Sequence, residues 1–154
     1  MPTVTQESQS APSREDRLIC EPAREIHRWI ADRSGLVWVE DFVGIARVVD
    51  GKIVAAFGYD HHQDSSCCLH TACEPGGYNR ALLRYAFLVP FRQWGYKCLI
   101  SIAQNGNVRS NNVAARLGFQ EFAILPQAHP SGGLRFGVMS SEQCRWLEPM
   151  GSYK

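Results

Sequence analysis

Almost no net charge is left once fifteen Asp and Glu are set against sixteen Lys and Arg; the formal total is +1 at pH 7. Nucleic-acid binding by broad phosphate neutralisation goes with a basic excess, so that class is disfavoured. No apolar run reaches the roughly 20 residues of a membrane-spanning helix. The opening M-P-T-V-T-Q-E-S-Q-S holds no apolar signal core, so the cytoplasm is the expected compartment. No internal repeat and no low-complexity core interrupts the chain. Six cysteines without a secretory signal point to free thiols rather than a disulfide framework. Cys67, Cys68, His70 and Cys73 crowd together and suggest zinc. On a strand, however, Cys68 and His70 face one side and Cys67 and Cys73 the other. No second C-x-x-C pair completes a ligand set, so no metal is expected and most of these thiols read as small buried hydrophobes.

What is present is 154 residues, 45% of them hydrophobic, enough for one domain with its own core. Residues 1–13, rich in Ser, Thr, Gln and Pro, read as a flexible segment, and 14–154 as a single domain. Arg17–Cys20 suits a short strand. A helix opens at Glu21-Pro22-Ala23, carries Ala23, Ile26, Trp29 and Ile30 at helical spacing, and closes at Gly35. Asp50-Gly51 between two β-rich runs marks a hairpin. A polar loop, H-H-Q-D-S-S, leads to the strand Cys67–Cys73, which Glu74-Pro75-Gly76-Gly77 breaks.

Leu82, Leu83, Ala86 and Phe87 then argue for a helix from Asn79 to about Trp94, which Pro90 kinks or shortens. K-C-L-I-S-I-A is a central strand with a short helix after it. E-F-A-I-L-P and L-R-F-G-V-M bracket H-P-S-G-G as a second hairpin, and Glu142–Leu147 forms a short helical tail. The order is β-α-β-β-β-α-β-α-β-β, which periodicity alone places in the mixed α/β class.

One stretch says more. Asn107–Phe119, N-V-R-S-N-N-V-A-A-R-L-G-F, resembles the N-x-x-S…L-G-F segment of the GNAT N-acetyltransferase superfamily, most closely the branch acting on protein N-termini. The element order matches from about residue 16 onward. The phrases G-K-I-V-A-A, C-C-L-H-T-A, N-R-A-L-L-R-Y-A-F and E-Q-C-R-W-L resemble short GNAT-like proteins of bacteriophages and prophages. This implies an α/β (α+β) fold with a mixed, mainly antiparallel sheet of six to seven strands. Strands four and five splay apart, and helices flank the sheet.

The resemblance also implies a site. Acetyl-CoA, as co-substrate, lies in the gap between strands four and five, its pantetheine arm paired to strand four like an added β-strand. Leu69 and Thr71 are then the main-chain contacts. The pyrophosphate sits at the start of the following helix, on Gly76, Gly77, Tyr78, Asn79 and Arg80. Here the chain departs from the family's Gln/Arg-x-x-Gly-x-Gly/Ala loop: Glu74 and Asn79 stand at the first and last positions. Gly76-Gly77 is either a diphosphate cradle or a flexible turn. The Tyr that many members use to protonate the thiolate is replaced by Ala114.

Ser110 is expected beside the cofactor sulfur, with helix N-cap as its alternative role. Asn107 orients the pantetheine amide or a water, or is a turn asparagine. His70 is the first candidate for general base, against a satisfied core histidine. Glu121 is the second, against an exposed strand-edge carboxylate. His61 and His62 border the acceptor site or are simply solvated. Trp29, Trp38, Tyr59 and Phe136 either shape the acceptor pocket or pack in the core.

The resemblance implies an enzyme that acetylates a primary amine (a protein N-terminus, a lysine or a small amine) by direct attack in a ternary complex. Two other classes remain open. One is nucleobase modification on the same scaffold, which the neutral charge disfavours. The other is a catalytically degenerate domain that binds a host protein or forms part of a virion. A homodimer through the last strands is in keeping with the superfamily, as is a host cytoplasm for a phage-encoded chain.

Overall fold

The computed structural model describes residues 14–147. The expected lead-in, 1–13, lies outside the described residues. Seven strands form one sheet in the order β1-β2-β3-β4-β5-β7-β6. They are β1 (Asp16–Ile19), β2 (Val43–Val49), β3 (Lys52–Asp60), β4 (Ser66–Cys73), β5 (Cys98–Gln104), β6 (Gln120–Leu125) and β7 (Leu134–Ser140). Every neighbouring pair is antiparallel except β4 and β5. The sheet is thus the mixed, mainly antiparallel one the resemblance implied. The Asp50-Gly51 signal forms its β2–β3 hairpin.

Strand alternation sorts the core into two layers. Ala56 of β3 and Ala46 of β2 pack with Phe42 under α1 (Ala23–Ser34), against Ile26 and Ile30. Ala55, Phe57 and Tyr59 face the other way, toward Leu82, Ala86 and Phe87 of α2 (Arg80–Leu88) and Leu117 of α3 (Val108–Leu117). Burying each large apolar side chain contributes about 1.5–3 kcal/mol. Small residues on the α1 face let that helix sit close to the sheet.

Pro90 shortens the α-helix, as expected, without ending the helical run. The α-helical ladder stops at Leu88 and a π-helical turn, Val89–Gln93, continues it, with Trp94 N–H donating to Val89 C=O. Proline has no N–H for the carbonyl four residues back. That carbonyl belongs to Ala86, and the buried Tyr59 hydroxyl donates to it instead. The tail expected to be helical over Glu142–Leu147 forms only the 3-10 turn Arg145–Leu147, six residues being too few to sustain an α-helix. Its Trp146 stacks on Phe87 and donates to Leu117 C=O. No helix among the described residues is long and apolar enough to cross a membrane.

Candidate functional site

β4 and β5 pair at three positions only: Ser66–Cys98, Cys67–Leu99 and Cys68–Ile100. Beyond them β4 stays with β3 as far as Cys73, and β5 stays with β7 as far as Gln104. Each strand holds its other neighbour, so the two part. A cleft of about 370 Å³ opens in the gap. Leu69 to Glu74 form one wall and Ser101 to Ala103 the other; α3 lines it from one side and Arg33 and Ser34, at the end of α1, from the opposite side. A strand edge left unpaired in this way offers backbone N–H and C=O groups to an extended ligand.

Of the residues singled out from sequence, the cleft gathers Leu69, His70, Thr71, Tyr78, Asn107, Ser110 and Glu121. Gly76, Gly77, Asn79 and Arg80 do not line it. Neither do His61 and His62, nor Trp29, Trp38, Tyr59 and Phe136. Tyr59 is fully buried against α2, and Trp38 packs on His27 and Phe42 under α1, so core packing accounts for both.

The start of α3 separates two roles that sequence could not. The Asn107 side chain accepts from Ser110 N–H at 3.1 Å, so Asn107 is the N-cap and Ser110 stands three residues inside. The Ser110 hydroxyl is therefore not the cap and is left exposed at the cleft. Gly118 ends the helix at φ 111°, in the left-handed region that glycine adopts without cost, and Phe119 returns the chain to the core.

The segment from Glu74 to Arg80 is built by packing. A Cβ on Gly77 would lie 2.2 Å from the Val54 carbonyl oxygen, so the loop needs glycine there to run against β3. The Gly76 and Gly77 carbonyls accept from Arg47, which pairs with Asp16 at 2.8 Å. The Gly77 N–H donates to the Glu74 carbonyl at 2.8 Å, and the Cys73 thiol donates to the same carbonyl at 2.9 Å. Burial pushes the Cys73 thiol up, and the nearby backbone of Tyr78 and Gly77 only partly offsets it. Asn79 caps α2 by accepting from Leu82 N–H at 2.8 Å. The Tyr78 hydroxyl lies 2.7 Å from Thr71 Oγ1, and burial pushes it up to about 12.

Alternation places Cys67 and Leu69 in the α2-side core, with Cys68 and His70 on the α1 side. His70 is one-fifth exposed, and its Nε2 lies 2.7 Å from Oδ1 of Asp60, which is 1% exposed. His61 Nδ1 reaches the same oxygen at 2.9 Å. Burial pushes the Asp60 carboxyl up, but the bonds to His70 and His61 outweigh it and leave the group below its ordinary value. Asp60, His61 and Cys68 bring potential ligand atoms within 4.8 Å of one another. Burial and the Asp60 charge push the Cys68 thiol up to about 11, so it is protonated at neutral pH, and hydrogen bonding accounts for the group.

The remaining charges in the cleft, Arg109 apart, come in pairs. Glu121 lies 3.3 Å from Arg135, and Glu74 takes both Nε and an NH group of Arg33, which also stacks on Trp29. Arg109 reaches from α3 to the Cys73 carbonyl at 3.4 Å, spanning the gap.

Sequence reasoning missed Asp60. The hairpin register held the signal: Asp60 pairs with Cys68 and Gly58 with His70, so Asp60 and His70 are diagonal neighbours on one face.

No protein-family model matches the sequence, and no curated protein does. Solved structures match along most of the chain. A mutant of the spermidine N-acetyltransferase SpeG from Vibrio cholerae superposes with a TM-score of 0.67 at 11% identity, over 86% of this chain and 96% of that one. Ard1 from Thermoplasma volcanium gives 0.62 at 16% identity, over 81% and 97%. The N-acetyltransferase PseH from Campylobacter jejuni, in complex with acetyl coenzyme A, gives 0.58 at 10% identity, over 82% and 99%. With its sheet opened between β4 and β5, the chain has the fold of the GNAT N-acetyltransferases.

Proposed function

We propose that this protein is an acetyl-CoA-dependent N-acetyltransferase that moves an acetyl group to a primary amine by direct attack in a ternary complex. The observation that carries this reading is the three-residue β4–β5 ladder, which leaves a through-sheet cleft lined by His70, Asn107, Ser110 and Glu121. PseH holds acetyl coenzyme A on the same fold, and SpeG is named for spermidine.

In this reading the pantetheine arm pairs along Leu69 and Thr71, and the Asn107 amide nitrogen, free of the capping bond, meets it from α3. The Ser110 hydroxyl protonates the departing sulfur, taking the place of the tyrosine that Ala114 replaces. His70 receives the acceptor's proton from the α1 side. Glu121 is the second candidate base, and its pairing with Arg135 makes it the weaker one. The diphosphate goes to the segment Gly76–Arg80, with Tyr78 at the rim of the cleft. The phrases shared with phage-type chains would place the protein in a host cytoplasm. The exposed β6 edge would be where two copies meet.

Calorimetric titration with acetyl-CoA tests the reading, followed by thiol release with spermidine, an amino sugar and a short peptide with a free N-terminus. Micromolar binding and turnover on one of these amines are expected. Absence of binding up to millimolar concentration would sink the proposal. Two observations favour a catalytically silent scaffold instead: Glu74 is held by Arg33, and the Gly77 N–H is taken up by the Glu74 carbonyl.

A further inference from the structure

The end of β3 holds a buried acid to which the acyl-transfer reading gives no role. Asp60 is 1% exposed, its Oδ1 lies within hydrogen-bond distance of two imidazoles, and its Oδ2 is buried with no partner among the described residues. An ionised carboxylate only accepts hydrogen bonds, so both rings must donate to it. His70 is then held with its hydrogen on Nε2, and the lone pair falls on Nδ1, the nitrogen left for the cleft. Resting on the acyl-transfer reading, we propose that Asp60 is the positioning residue of the reaction: it fixes the ring and tautomer of His70 so that Nδ1 receives the acceptor's proton.

The acceptor ammonium gives one proton to His70 Nδ1. The neutral amine attacks the thioester carbonyl, and the new C–N bond forms as the C–S bond breaks. The second amine proton passes by way of the Ser110 hydroxyl to the departing sulfur, and His70 returns its proton to water. While His70 is an imidazolium, Asp60 faces it as an ion pair shielded from solvent, where the attraction is stronger than in water. An acid holding an imidazole in one tautomer and stabilising its charged form is the logic of the serine hydrolase triad, on an unrelated strand pair. His61 bonds the same oxygen from the solvent side, with its side chain 64% exposed, and is not needed for the step.

The test uses the full-length protein labelled with ¹⁵N-histidine. Two-bond ¹H–¹⁵N spectra report which ring nitrogen carries hydrogen. His70 is expected as the Nε2–H tautomer in the wild type, and Asp60→Asn is expected to abolish that single state. On the amine that the wild type acetylates, Asp60→Asn should lower kcat by about 100-fold, the scale of general-base catalysis. The KM for acetyl-CoA should stay within about twofold and His61→Ala should keep kcat within about threefold, a split that a merely structural acid would not produce. An Nδ1–H tautomer in the wild type overturns the proposal, and that measurement needs no variant to fold. An Asp60→Asn protein that turns over within about threefold of wild type overturns the role of Asp60 alone. A wild type that neither binds nor turns over acetyl-CoA overturns it together with the acyl-transfer reading.

Discussion

The Asn107 side chain accepts from the backbone N–H of Ser110 at 3.1 Å, which assigns helix capping to one residue and leaves the hydroxyl of the other at the cleft. The two substitutions should therefore separate. Asn107→Ala removes the cap and costs about 1 kcal/mol of stability, seen as a fall of about 3 °C in Tm. Ser110→Ala leaves Tm within about 1 °C, because it caps nothing, while slowing acetyl transfer by about 10-fold or more. Thermal unfolding beside steady-state kinetics checks both. Equal losses of Tm in the two variants would return the cap to Ser110.

The fold and the cleft differ in how much of them the sequence carried. The Asp50-Gly51 hairpin, the helical spacing of Leu82, Leu83, Ala86 and Phe87 and the Gly118 cap are local signals, and the structure realises each of them. The cleft residues on β4 and α3 were legible through the N-x-x-S resemblance. Asp60 was not, because its meaning lies in a cross-strand diagonal to His70 that only the register reveals. Nor could the sequence show that Gly77 answers to the Val54 carbonyl, a contact between residues far apart in the chain. The π-helical turn at Pro90 depends likewise on Tyr59, a partner from another strand.

That partnership predicts a stability loss. Tyr59→Phe keeps the ring in the core but leaves the buried Ala86 carbonyl without the donor that Pro90 cannot supply. Leaving such a group unsatisfied costs about 1–3 kcal/mol. Urea unfolding should show a lower midpoint with an unchanged slope, since the surface exposed on unfolding is the same. A midpoint equal to wild type would mean that the turn satisfies the carbonyl by itself.

The acid beside His70 also sets a pH dependence of stability. The folded-state Asp60 carboxyl lies below its ordinary value of 3.8, so its contribution is fully present above that value and is lost as pH falls through the depressed one. His61 is raised above its ordinary 6.5 by the hydrogen bond and the charge of Asp60. Its contribution is present below 6.5 and is lost as pH rises through the raised value. The two overlap between about pH 4 and 6.5, where this pair supports the fold most. His61 is mostly exposed and screened, so the acid limb should be the steeper of the two. Asp60→Asn should flatten both limbs, whereas His61→Ala should flatten the alkaline one and weaken the acid one only in part, since His70 still holds Asp60, measured as Tm from pH 3 to 9. A wild-type acid limb that survives in Asp60→Asn would assign it to the surface carboxylates instead.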